Sequence, residues 1–401
     1  MTDLLKELQG IDDFNHISFE IKEDEFYWKI ERKPETFSCS NCKSKNVTAT
    51  FIQTRNIRCL SMGKLKANIK VKHHRIQCHN CGSFLMEKLD FIPKQNCHYT
   101  KGIAQLVILL RNEMSILATA KYLGLGWGTT KQIEKEYLTE KYKTIDFNGV
   151  ETIGIDEVFI GAKRGFITIV RDLIKGTVLF IGDGKSGETL DPFLEKLEEQ
   201  KVNIKNVAVD LANSFSAWIT KNLPTATIIY DKFHVIKLMN DKLNSVRRET
   251  MNELCDEDKK ALKGKRFSLL KNIESLSDEK KEDLNNIRKT YFTLGEMSMM
   301  KECLRNIYSI AEYADQARIA FIRWTELAIE TGIPELKTMA KTIKKRLNGL
   351  IAYWKDGITS AGMEGFNNKI GALNRQAYGY RDLEYFKLKI YDLPKLKIEK
   401  I

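Results

Sequence analysis

Apolar and polar positions change rhythm twice along this chain of 401 residues, and each change marks a new region. After Pro93 the apolar residues fall at helical spacing. Ile103, Leu106, Val107 and Leu110 share one face of a helix predicted between Thr100 and Asn112. The segment from Ser115 to Ile133 reads as helix, glycine turn, helix, with Thr129 or Thr130 expected to cap the second helix. From Glu151 onward β-branched runs replace that pattern. Thr152 to Glu157 is a predicted buried strand with Asp156 at its centre. Gly165 to Asp172 and Gly176 to Gly182 form an antiparallel meander around a turn at Leu173 to Lys175. An amphipathic helix follows from Thr189 to Gln200, then a strand, Val207 to Asp210, a helix through Phe215 and Trp218, and a last strand, Ala226 to Tyr230. Between Met251 and Thr331 helical spacing returns, as in Leu304, Ile307, Tyr308 and Ala311. Glu364 then opens a helix-like run.

The order β-β-β-α-β-α-β is that of the RNase H-like fold, a mixed α/β sheet whose first and fourth strands lie side by side. That adjacency would bring Asp156 and Asp210 together. A carboxylate in an apolar strand is costly to bury unless it is paired or bound to metal. Asp156, Asp210 and Glu364 converging would make an all-oxygen site suited to Mg2+ or Mn2+. Two such ions can clamp the attacking and leaving oxygens of a phosphodiester.

The totals narrow the class. Hydrophobic residues at 43% and charged residues at 29% describe a globular protein, and the length suggests two or three domains. No run of about 18 apolar residues is present, and the first residues do not read as a secretion signal. A cytoplasmic, nucleoid-associated protein with no membrane partner is the expectation. The net charge of +12 favours a polyanion. Its distribution says more. No acid occurs between Glu35 and Glu87, while Lys43, Lys45, Arg55, Arg58, Lys64, Lys66, Lys70, Lys72 and Arg75 do. The first 35 residues are acidic. A basic block without counter-charge points to DNA phosphates.

Inside that block lie two Cys-x-x-Cys pairs, Cys39 with Cys42 and Cys78 with Cys81. Four thiolates at that spacing suit one structural Zn2+, with room between the pairs for a β-hairpin such as Leu65 to Val71. His73, His74 and His98 are weaker candidate ligands, and ordinary packing accounts for Cys59, Cys97, Cys255 and Cys303. Beside a basic zinc module, the helix-turn-helix pattern is read as DNA recognition, with Thr130, Lys131 and Gln132 in the first turns of the reading helix.

These residues resemble the insertion-sequence transposases of the ISL-three type, which carry a DDE catalytic domain. The resemblance covers nearly the whole chain. It rests on the paired Cys-x-x-Cys module, Gly154-Ile155-Asp156-Glu157, Val209-Asp210, Asp231-x-x-His234, and Glu364-Gly365-Phe366-Asn367-Asn368-Lys369 followed by Tyr378-Gly379-Tyr380-Arg381. Where that family often has Thr-Asn-Ala, this chain has Thr359-Ser360-Ala361. The resemblance implies that Asp156, Asp210 and Glu364 are catalytic metal ligands, two ions being bound, with His234 and Asp231 near them. Lys369, Arg375 and Arg381 are expected on DNA. Arg323-Trp324 resembles a pair that stacks on DNA ends, although a buried Trp is the plainer reading. For Glu157 and Asp172 a solvated face or a turn is expected.

The domains expected are an acidic segment at 1–35, a zinc ribbon at 36–92, a helix-turn-helix at 93–148, a catalytic domain at 149–250 and 336–401, and an all-helical insertion at 251–335. The function implied is a transposase that binds terminal inverted repeats in double-stranded DNA as a homodimer or larger assembly, cuts, and transfers strands. A transposase-derived DNA-binding regulator and a structure-specific nuclease are the alternatives.

Overall fold

The computed structural model describes residues 11–211, 213–255, 259, 260, 262–357 and 361–393. They form two compact units, one reaching to Lys143 and one spanning Thr144–Leu396.

In the first unit, β1 (Phe14–Lys22) and β2 (Glu25–Arg32) form a hairpin, and β3 (Val47–Met62) and β4 (Leu65–Cys78) form a longer one. They join in the order β1-β2-β4-β3, β2 running parallel to β4, with the short β5 (Phe84–Met86) also paired to β4. Alternation in β2 buries Phe26, Trp28, Ile30 and Arg32, and Trp28 and Ile30 pack with Ile57, Ile69 and Val71. The acidic segment is therefore part of the same sheet as the basic block between the cysteine pairs. It also supplies the counter-charge that the basic block lacks in sequence: Lys70 lies 3.2 Å from Glu20, Arg58 2.9 Å from Glu25 and Lys72 3.0 Å from Glu31. Beneath them, Arg32 meets buried Glu87 at 2.7 Å, and Glu87 also accepts the His74 backbone N–H at 2.8 Å.

Three helices complete this unit: α1 (Lys101–Arg111), α2 (Ile116–Leu123) and α3 (Trp127–Lys141). Thr100 and Ser115 cap the first two by accepting the N–H of Ile103 and Ala118. Gly124, at φ 65°, ends α2 in the left-handed conformation that a side chain resists. The expected cap at Thr129 or Thr130 is corrected here. Gly126 occupies the cap, α3 starts at Trp127, and the buried Thr130 hydroxyl donates to the Gly126 carbonyl at 3.1 Å.

The second unit is built on a sheet ordered β10-β9-β6-β7-β8, from β6 (Thr152–Gly161), β7 (Gly165–Asp172), β8 (Val178–Asp183), β9 (Asn206–Val209) and β10 (Thr227–Tyr230). β6 pairs with β7 antiparallel and with β9 parallel, so the first and fourth strands of this unit are neighbours. One sheet face, with Ile153, Ile155, Val207 and Val209, packs on α4 (Asp191–Glu199) and α5 (Asn213–Asn222) through Phe193 and Phe215. The other, with Ile167, Ile169 and Ile181, is covered by α11 (Ala361–Gln376) and α12 (Leu383–Asp392) through Met363, Phe366, Ile370 and Phe386.

Between the sheet and α11 lie α6 (Lys232–Glu253), α7 (Asp278–Thr290), α8 (Phe292–Ile310), α9 (Ala314–Glu330) and α10 (Pro334–Ile351). The helical region thus begins about twenty residues before the expected insertion boundary and ends beyond it. Leu294, Leu304, Phe321, Leu336 and Ile343 form its core. Buried Lys301 donates to the carbonyls of Leu269 and Lys271 at 2.8 and 2.7 Å, which satisfies an ammonium that burial would otherwise penalise. Among the described residues no helix is long and apolar enough to cross a membrane.

Candidate functional site

The register of the second sheet decides where the aspartates go. Ile155 pairs with Val209 across parallel strands, so both side chains leave by the face that meets α4 and α5. Asp156, one residue further on, leaves by the opposite face, under α11, and Asp210 directly follows the end of β9. Each then has a defined partner. Asp156 Oδ2 accepts from Asn367 Nδ2 at 2.6 Å and Oδ1 from the Glu157 N–H at 2.9 Å. Asp210 Oδ1 lies 2.9 Å from His234 Nδ1. Asp231 caps α6 by accepting the Phe233 N–H at 2.8 Å, and so aims the first turn of that helix, which carries His234.

Electrostatics fit this crowding. Burial pushes the Asp156 carboxyl above the ordinary range, and the Glu157 N–H, His234 and Asn367 only partly oppose it, while Asp210 adds to the rise. Burial alone would lower His234, yet the Asp210 carboxylate, helped by Asp156 and Asp231, raises it overall. Glu157 is raised by burial and then by Asp156 and Asp210. Its Oε2 is buried without a hydrogen-bond partner, so the solvated face expected for Glu157 is corrected. Asp172 does serve a turn, accepting the N–H groups of Ile174 and Lys175 at 2.7 and 3.0 Å.

Helix α11 is fixed to the sheet by three contacts. Met363 lies over Gly154, where an added Cβ would stand 2.8 Å from Met363 Cγ. Arg171 donates from Nε to the Gly176 carbonyl at 2.8 Å and from Nη1 to the Gly362 carbonyl at 2.6 Å. Its guanidinium also covers the Phe366 ring at 4.6 Å. Glu364 is exposed, one helical turn before Asn367 and therefore a neighbour on the same helix surface. Its carboxylate is not drawn into one tight ligand shell with the aspartates: among the described residues the four cysteines alone form a group of three or more such side chains with all ligand atoms within 4.8 Å of one another. Thr359 and Ser360 lie outside the described residues.

Two tests of metal fit can be made from donor chemistry. At the aspartates, the Asp156 carboxyl meets Asn367, whose Oδ1 is a buried oxygen without a hydrogen-bond partner, and Asp210 is near enough to act on Asp156. That hard oxygen set suits Mg2+ or Mn2+, and a cation there would offset both burial and mutual repulsion. At the cysteines, Cys39 Sγ is 3.7 Å from Cys81 Sγ, and Cys42 Sγ is 3.5 Å from Cys78 Sγ. Zn–S bonds of about 2.3 Å in a tetrahedron set sulfurs about 3.8 Å apart, so the quartet fits zinc. The Ser83 hydroxyl, 3.1 Å from both Cys39 and Cys81, leads in holding the Cys39 thiol down to about 6. Both knuckles turn tightly, Cys39 accepting from Lys43 and Cys78 from Gly82, with positive φ at Lys43 and Gly82. His73 and His74 are engaged by Glu87 instead, and His98 is exposed away from this quartet.

The residues expected on DNA divide by exposure. Thr130 is fully buried and packs α3, so the expectation that it reads a base is corrected. Gln132 is exposed and donates to Glu136 at 2.9 Å, and Lys131 Nζ is 6.0 Å from the centre of the exposed Trp127 ring. Lys70 and Lys72 are paired as described, Lys70 also lying over Tyr27. Arg75 covers the exposed Phe84 ring, and Lys64 and Lys66 sit at the turn of the β3–β4 hairpin. Lys369, Arg375 and Arg381 are exposed around the turn at Tyr378, which is fully exposed. Trp324 is buried and donates to the Met300 carbonyl at 2.8 Å, as the plainer reading had it.

A profile of the ISL3-type DDE transposases, described simply as "Transposase", matches residues 153–390. This chain belongs to the ISL3-type DDE transposases. The transposase for insertion sequence element IS1001 of Bordetella parapertussis is 30% identical over 356 residues, covering 88% of this chain and 87% of that one. The transposase for IS1557 of Mycobacterium tuberculosis is 26% identical over 354 residues, covering 82% and 78%. The Drosophila P element transposase strand transfer complex aligns with 74% of this chain and 92% of its own at 12% identity and a TM-score of 0.43, a distant likeness. Membership makes this protein a DNA transposase and implies use of divalent metal ions. The profile contains Asp156, Asp210, His234 and Glu364, while the cysteine quartet lies before it. Asn367 and the half-buried Glu157 stand in the motifs quoted above without a role being read for either beside the aspartates, and Arg171 was not singled out at all.

Proposed function

We propose that this transposase binds the terminal inverted repeats of its own insertion sequence and performs metal-dependent cleavage and strand transfer in an RNase H-like catalytic domain. The observation that carries this is Asp156 on β6 bonded to the helix that bears Glu364, with Asp210 directly after the end of the neighbouring parallel strand β9. Those three carboxylates would hold two Mg2+ or Mn2+ ions, which would supply charge neutralisation at the attacking and leaving oxygens. Asn367 orients Asp156, and His234 orients Asp210 from the first turn of α6. Arg171 holds the start of α11 in place. Cleavage is attack of water on a phosphodiester, and transfer is attack of the freed 3′-hydroxyl on target DNA. No serine or tyrosine nucleophile takes part.

In the first unit the zinc-held sheet offers phosphate contacts from Lys64, Lys66 and Arg75, with Lys70 and Lys72 contributing where Glu20 and Glu31 leave them accessible. The α2–turn–α3 segment acts as a helix-turn-helix, with Lys131 and Gln132 presented to bases. Lys369, Arg375 and Arg381 meet DNA beside the metal site. Pairing two element ends calls for at least a dimer. The test is incubation with a duplex carrying the terminal repeat and Mg2+, in which a nick bearing a 3′-hydroxyl is expected at the element's end. Asp156→Asn, Asp210→Asn and Glu364→Gln should each abolish that nick and leave end binding intact. A variant that still cuts removes its residue from the site.

A further inference from the structure

A second cluster of cations lies away from the aspartates. An open cleft of about 500 Å3 is formed at the starting ends of β9 and β10, where they meet α9 and α10. Lys205, Arg318 and Lys355 line it, together with Asn206, Thr227 and Asn348. No carboxylate is among its lining residues. Arg318 is held by a 3.3 Å hydrogen bond from Nη2 to Asn348 Oδ1, which points its fork without neutralising it. Lys205 reaches Glu151 at 2.7 Å, but that pair is more than half exposed, so it is weak and easily exchanged. Three like charges drawn together around amide and hydroxyl groups repel one another unless an anion lies among them. A planar guanidinium flanked by ammonium groups and neutral donors is the chemistry that recognises phosphate.

We propose that this cleft is a phosphate-binding site, the phosphate belonging to a DNA strand or to a free polyphosphate. Asn206 opens β9 and Asp210 directly follows its end, roughly 13 Å further along the chain at strand spacing. The phosphate bound here is therefore not the one being cut, and the proposal does not depend on the assignment of the metal ligands.

The experiment compares the full-length protein with the triple variant Lys205→Gln, Arg318→Gln, Lys355→Gln and with the charge-keeping variant Lys205→Arg, Arg318→Lys, Lys355→Arg. Two readouts are taken: binding of a terminal-repeat duplex by fluorescence anisotropy across a salt series, and the thermal midpoint with and without sodium triphosphate. If DNA is the source, the triple variant binds more weakly and the salt slope flattens by about two to three, at about 0.9 per phosphate contact. If a free polyphosphate is the source, triphosphate raises the midpoint of the parent protein and not of the triple variant, while the DNA slope stays the same. The charge-keeping variant should keep the parent's salt slope, because all three charges remain, and should bind phosphate less tightly only as far as Arg318→Lys removes the guanidinium fork. Unchanged slope together with unchanged triphosphate response in the triple variant overturns the proposal. Nicking at saturating DNA reports the catalytic site separately and should survive the triple substitution.

Discussion

The Gly154→Ala substitution adds one methyl group to a residue that has no chemistry of its own, and it tests how closely α11 must sit on the sheet. The new Cβ would stand 2.8 Å from Met363 Cγ and 2.9 Å from both Met363 Sδ and Leu173 Cδ2. Ordinary carbon contacts fall at about 3.5–4.0 Å, so roughly 0.7 Å or more must be found by moving Met363, Leu173 or the helix. Met363 is buried among Ile169, Phe366 and Ile370, which leaves its side chain little room to turn away. Overpacking of this kind costs about 1–3 kcal/mol. In a unit of this size that is a loss of about 2–4 °C in the thermal midpoint per kcal/mol. Part of the adjustment reaches Glu364, the next residue, and Asn367, which bonds Asp156. Misplacing a catalytic group by about 1 Å can cost about a hundredfold in rate. The expected result is a lower midpoint, end binding unchanged, and nicking of a terminal-repeat duplex reduced well beyond the change in stability. Nicking at the parent rate from a folded variant would refute the view that α11 must lie tightly over β6 for the carboxylates to work.

Other outcomes follow from the same geometry. Protein purified without chelator should carry about one zinc per chain, and Cys39→Ser or Cys78→Ser should lose it along with the fold of the β3–β4 end; a zinc-free preparation with that end still ordered would contradict the quartet. Neutralising Lys64 and Lys66 should weaken binding to all duplexes by a similar factor and flatten the salt dependence, whereas Gln132→Ala should change which sequences are preferred, so competition against random DNA must separate the two. Thr130→Ala should shift stability by the loss of one buried hydroxyl contact and leave sequence preference alone, as a residue inside α3 would.

The parts of this fold that local sequence specifies were readable, and those made by distant contacts were not. β7, β8 and the first half of β6 are apolar runs largely buried on both faces, and the carboxylates stand out against them. The β1–β2 hairpin escaped because Ile17, Phe19 and Ile21 point outward while the polar His16, Ser18 and Glu20 take the more covered positions, which inverts the usual reading of the alternation. The start of α3 was misplaced because Gly126 caps it through backbone conformation, with no side-chain signal to read. Asn367 and Arg171 act across separations of 211 and 191 residues, which no local pattern encodes. Glu157 belongs to the face of Ile155 and Thr168, and only the sheet's stacking reveals that this face is closed at its end.

The central claim, that Asp156 and Asp210 hold a divalent ion, is tested most directly by Mn2+ titration followed by electron paramagnetic resonance, on the zinc-loaded protein bound to its terminal-repeat duplex. The parent should bind Mn2+ in a protein site, and Asp156→Asn and Asp210→Asn should each lose that binding without losing the duplex. Mn2+ binding of undiminished affinity and stoichiometry in both variants would contradict the account.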